Sequence, residues 1–145
     1  MPMLSATRFP DWEARLQAYL EPLHATPFAW GQHDCCTFSA GAVAAMTGVD
    51  PMPEFRGAYT TAAGSIRALI RHGSGDLAAT MDAKFEQVPA SLAHRGDVVM
   101  SDGLLGICLG AQMIAVGAEG TREGLILLPR AGWIEPRAWR VQYGF

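Results

Sequence analysis

In the stretch FAWGQHDCCTFSAGAV (Phe28–Val43), His33, Asp34, Cys35 and Cys36 stand in succession just ahead of a run of small residues. A cysteine at the start of a helix is a candidate nucleophile, because unpaired backbone N–H groups there carry partial positive charge that stabilises a thiolate. The competing reading is packing: small buried cysteines fill cores well. Attack of a thiol on an amide needs a base to form the thiolate and an acid to protonate the leaving amine, and one imidazole usually does both. His33 is two residues before Cys35. Side chains at that separation diverge on a helix, so His33 serves as base only if a loop folds it back. His24 and His72 close expected helices, where a cation complements the helix dipole. A metal would draw on His33, Cys35, Cys36 and Cys108. Adjacent cysteines rarely ligate one ion and there is no Cys-x-x-Cys spacing, so no metal or cofactor is expected and Cys108 reads as strand core.

These residues need elements to hold them. Trp12, Leu16, Leu20 and Leu23 recur at near-helical spacing after Asp11, a candidate N-cap. A second helix is expected from Asp34 to Thr47, stopped by Gly48, with Gly/Ala/Ser content suited to close packing on a sheet. VDPMPEFRGAY reads as a loop, Thr61–His72 as a third helix ended by GSG, and DLAATMDAKF as a shorter fourth. That GSG is a helix stop rather than a phosphate loop, since no Lys-Ser/Thr follows it. From RGDVVM onward, apolar runs at Val98–Met100, Leu105–Leu109, Met113–Val116, Leu125–Leu128 and Trp139–Tyr143 suggest an antiparallel meander of about five strands. Helices first and strands second give an α+β class, with N-terminal helices packed on a small antiparallel sheet, and residues 1–145 read as one domain.

Half the residues are hydrophobic and 17% are charged, which fits a globular chain. A net charge of -3 gives no case for nucleic acid, and Lys84 is the only lysine among 11 basic residues. The run Gly103–Ala118 is too short and glycine-rich for a membrane helix, so no membrane insertion is expected. The start of the chain lacks the pattern of a secretory signal, and three cysteines, two of them adjacent, are no disulfide framework. Synthesis in a reducing cytoplasm is the expectation.

Order and spacing add a resemblance. FAWGQHDCCTFSAGAV resembles the aromatic-x-Trp-Gly-Gly … Asp-Cys-Ser-Gly-Leu-Val segment of NlpC-type cell-wall peptidases, a branch of the papain-like cysteine peptidases. RGDVVM resembles their Pro-Gly-Asp-Leu-Val-Phe strand, LLGICLG their His-Val-Gly-Ile-Tyr-Leu-Gly strand, and QMIAVGAEG falls where they have Lys-Met-Ile-His-Ala. The pattern also looks like compact relatives encoded among phage tail genes and in gene-transfer-agent-like prophages. The resemblance implies a papain-like fold with Cys35 in the nucleophile position, Asp34 before it, and Asp97 bonding backbone at the turn into its strand. It places the catalytic histidine on Leu104 and the polar residue that orients it on Ala115. Neither side chain can move a proton, so the implied site is disarmed. His94 lies roughly 15–20 Å of strand away from that slot. Asp102, nearest to it, would raise a thiol pKa rather than lower it.

Two functions follow as expectations. One is a degenerate domain acting as a structural or binding component of a phage tail tip or baseplate, docked on other tail proteins and carried in the virion tail. The other is a cysteine peptidase or amidase cutting peptidoglycan stem peptides, with Cys35 as nucleophile and His33 as base. Trp30, Trp133 and Trp139 are candidates for a ligand groove or for core anchors. A docking patch is sought in VDPMPEFRGAY and, by preference, in the C-terminal EPRAWRVQYGF.

Overall fold

The computed structural model describes residues 5–117 and 124–144. It is α+β: α1 (Trp12–Leu20), α2 (Cys35–Thr47), α3 (Ala62–His72) and α4 (Leu77–Lys84) precede an antiparallel sheet. Its strands are β1 (Glu86–Val88), β2 (Val98–Ser101), β3 (Leu104–Cys108), β4 (Gln112–Val116), β5 (Leu125–Pro129) and β6 (Arg137–Arg140). Among the described residues no helix is long and apolar enough to cross a membrane.

The helix signals act as their chemistry dictates. The Asp34 carboxylate accepts from the Thr37 N–H while the Thr37 hydroxyl accepts from the Asp34 N–H, a reciprocal cap that starts α2. Gly48 ends that helix in the left-handed region at φ 82°. Asp11 precedes α1 but caps nothing with its side chain, which is paired with Arg15 instead.

The sheet is more than a meander. Its order is β1-β6-β2-β3-β4-β5, so β2 to β5 run in sequence while β6 returns to pair with β2 and carries β1 outside it. β1 is short, polar and at the edge, and therefore gives no apolar run to read in sequence. The sheet has two covered faces. Val98, Leu105, Ile107, Ile114 and Trp139 pack against the helices, with Phe38, Val43 and Met46 of α2 among their neighbours. Val99, Cys108, Met113, Ala115 and Ala138 form a smaller cluster on the other face, beneath Trp133 and the 90–93 turn.

Gly106 lies where β3 and β4 approach. A Cβ there would strike the Ile114 carbonyl and press on Met113 and Ala115. Gly106→Ala is expected to cost about 2 kcal/mol through forced strand displacement, read as a lower midpoint at unchanged slope in urea denaturation.

Candidate functional site

Two turns bring the candidate residues together. Ala29 and His33 exchange backbone hydrogen bonds (Ala29 N–H to His33 O, 3.0 Å; His33 N–H to Ala29 O, 2.7 Å), closing the loop ahead of α2. Gly31 at its tip has φ +76°, and a Cβ on it would collide with the Tyr59 carbonyl, so glycine is required there on both counts. The loop therefore sits directly on the 57–59 segment, which is also held by the Gly57 N–H donating to the Gly31 carbonyl at 2.9 Å.

Asp34 ties these pieces into one unit. One carboxylate oxygen accepts from Thr37 N–H at 2.9 Å; the other accepts from Gly31 N–H at 2.9 Å and from the Tyr59 hydroxyl at 2.6 Å. Burial, reinforced by this bond and by the Asp34 charge, pushes the Tyr59 hydroxyl pKa strongly up. Every acceptor direction of Asp34 is thus spent on structure.

Cys35 opens α2 beside a small, mostly apolar hollow of about 60 Å³ that it shares with Trp30, Phe55, Tyr59, Leu69 and Leu77. Its thiol is not activated. Burial pushes its pKa up to about 11, and the Asp34 charge adds to the rise; hydrogen bonds from the backbone at Leu105, Cys36 and Cys35 itself offset only part of it. The expected stabilisation by the helix terminus is present, and desolvation outweighs it. Cys36 is buried and its thiol is raised further.

No hydrogen bond joins Cys35 to an imidazole among the described residues. His33 is 8% exposed and its ring stands edge-on to Phe38 at 6.0 Å between centroids. Among the described residues its Nε2 is buried without a hydrogen-bond partner, and burial lowers its pKa. His33 is placed here as a turn and core residue with no hydrogen bond to Cys35 among the described residues. His94 bonds the Tyr143 hydroxyl through Nδ1 at 3.2 Å, and His72 stands edge-on to Phe55.

The placement of the missing partners on Leu104 and Ala115 needs correction. Both pack in the cluster on the sheet face away from α2, whereas Leu105, Ile107, Ile114 and Val116 face the helices. A shift of one residue exchanges the two faces of a strand. The positions that look toward α2 are apolar as well, so the corrected register supplies no acid or base either.

Asp97 reaches further than the turn. Its carboxylate accepts from the His94 N–H at 2.8 Å, and also from Arg8, Arg140 and the Val141 N–H. Asp102 is exposed in the tight β2–β3 turn at φ 49° and takes no part in the hollow. The buried Cys108 Sγ accepts from Arg130 at 3.3 Å and from the Gly110 N–H at 3.4 Å. Among the described residues no three His, Cys, Asp or Glu side chains lie close enough to hold a metal.

The tryptophans do not share a groove. Trp139 is fully buried and donates to Asp82, Trp133 donates to the Leu128 carbonyl under Arg130, and only Trp30 lines the Cys35 hollow. The two segments expected to present a docking patch bury most of their apolar residues, Met52, Phe55 and Tyr59 in one and Ala138, Trp139 and Val141 in the other, and expose Val49 and Tyr143. Phe145 lies outside the described residues. The most exposed apolar side chains among the described residues lie outside both segments, notably Ile66 and Ile70 on α3. Tyr59, which holds Asp34 and lines the hollow, carries no sequence signal because its loop reads only as proline- and glycine-rich.

A family model described as a domain of unknown function (DUF6950) matches residues 7–141, so the chain belongs to that family. No curated protein matches the chain.

Proposed function

We propose that this member of the family is a non-catalytic binding or structural domain. The observation that carries this reading is the setting of half-buried Cys35: among the described residues no imidazole is hydrogen-bonded to it, and burial pushes its thiol up rather than down. An amide-cleaving enzyme needs both the thiolate and a proton donor for the leaving amine, and the hollow offers neither. The resemblance to NlpC-type peptidases makes the chain a degenerate relative, and it suggests as setting a phage tail tip or baseplate in which the domain docks on neighbouring proteins.

One feature favours the rival reading of a peptidase acting on peptidoglycan stems: Cys35 opens a helix and lines a hollow walled by Trp30 and Tyr59. Alkylation by iodoacetamide separates the two. The native protein is labelled across pH, and tandem mass spectrometry distinguishes Cys35 from Cys36. For the non-catalytic domain, Cys35 labelling climbs about tenfold per pH unit without a plateau until the thiol titrates near 11, and His33→Gln leaves the profile unchanged. Half-maximal reactivity well below the ordinary thiol value of about 8.5, lost in His33→Gln, would overturn this reading in favour of the peptidase.

A further inference from the structure

Nearly every cationic side chain among the described residues is matched. Arg8 and Arg140 pair with Asp97, Arg15 with Asp11, Arg56 with Asp50, Lys84 with Glu54, Arg95 with Glu13 and Arg137 with Asp82. Arg130 donates to the carbonyls of Ala90, Ala93 and Gly110. Arg67 and Arg71 are the exceptions: neither has a hydrogen bond or an ion pair among the described residues. They stand four apart on α3, a spacing that sets two like charges side by side and disfavours the helix.

Both line the same cleft, of about 360 Å³, between α3 and the 58–61 segment. That volume is in the range of small-ligand sites, roughly 300–1,000 Å³. No acidic residue lines it. Thr60 and Thr61 line the same cleft. The Thr61 oxygen accepts from the Gly64 N–H at 3.0 Å, which leaves its own proton free to donate. His72 and the small residues Gly64 and Ala68 complete the α3 side of the lining. Two guanidinium forks and two hydroxyl-bearing residues lining one cleft without a carboxylate are a donor set for phosphoryl or carboxylate oxygens.

We infer that this cleft binds an oxyanion-bearing small ligand, with Arg67 and Arg71 as a two-point clamp and Thr60 and Thr61 as hydroxyl donors. It is separate from the Cys35 hollow, with which it shares only Tyr59 as a lining residue, and it does not depend on whether Cys35 is catalytic.

The test is a titration of the full chain, followed by amide NMR, with inorganic pyrophosphate and with citrate at constant ionic strength. Saturable shifts centred on Gly64 and Ala68 are expected. Arg67→Gln or Arg71→Gln should weaken binding by about tenfold each, and the double variant should abolish it. Saturation by pyrophosphate alone supports a phosphoryl ligand, and saturation by citrate alone a carboxylate one. A third arm adds phosphatidylglycerol vesicles: co-sedimentation displaced by pyrophosphate assigns the phosphoryl group to lipid headgroups, and pyrophosphate binding without co-sedimentation assigns it to a free ligand. Both side chains are exposed, so the variants should keep the wild-type thermal midpoint. Should they not, protection of Arg67 and Arg71 in the wild-type protein from phenylglyoxal by the same anions, with exposed Arg15 unprotected, gives the same information. Linear, non-saturating shifts for both anions, or no selective protection, would overturn the inference.

Discussion

Asp97→Ala is expected to cost about 3–5 kcal/mol, a large part of the stability of a domain that totals about 5–15 kcal/mol. The pair that Asp97 makes with Arg8 is 2.8 Å long and both side chains are 0% exposed. The same carboxylate takes Arg140 at 2.9 Å and the N–H groups of His94 and Val141. It therefore joins the segment before α1, the start of β2 and the end of β6. Arg8 is further enclosed between the rings of Trp12 and Tyr143, at 4.3 and 4.2 Å from its guanidinium carbon. Removing the carboxylate strands this buried cation. Burial already opposes its charge and lowers its pKa. The loss should appear in urea denaturation followed by tryptophan fluorescence. Arg8→Met combined with Asp97→Ala should cost less than the sum of the two single changes, because the fully buried Arg8 charge no longer stands without its partner. Strict additivity would show that the pair does not act as a unit.

The second large effect belongs to Asp34. Asp34→Ala removes the α2 cap, worth about 0.5–2 kcal/mol, and leaves the Tyr59 hydroxyl and the Gly31 N–H without their acceptor. Stranded buried donors cost about 1–3 kcal/mol each, so a total of about 3–8 kcal/mol is expected. Asp34→Asn keeps a carbonyl for Thr37 and should lose roughly half as much. It also removes a negative charge that raises the Cys35 pKa. Cys35 alkylation in Asp34→Asn should therefore begin at lower pH than in the wild type. An unshifted profile would mean that burial alone holds the thiol protonated.

Much of this was legible because it is local. The α2 cap and stop, the third and fourth helices, and the cores of β2 to β5 follow from short-range signals: a capping Asp, a terminal Gly, and apolar runs broken by glycine. Face assignment was not legible. LLGIC is apolar or glycine at every position, so no alternation in the sequence says whether Leu104 or Leu105 faces α2. The two covered faces of the sheet create that ambiguity, and only packing resolves it. The short polar β1 gave no signal, and the return of β6 to β2 depends on contacts between residues distant in sequence.

The candidate site divides in the same way. The sequence by itself determined that Cys35 starts a helix behind a capping aspartate, since cap chemistry needs only a few neighbouring residues. Tertiary structure decided that the thiol is held protonated, that His33 turns into the core, and that Asp97 is matched with Arg8, 89 residues away. It also decided that Arg67 and Arg71 face an open cleft while their counterparts are paired. Burial and charge pairing are properties of what surrounds a side chain, and those surroundings are assembled from parts of the chain that local signals do not connect.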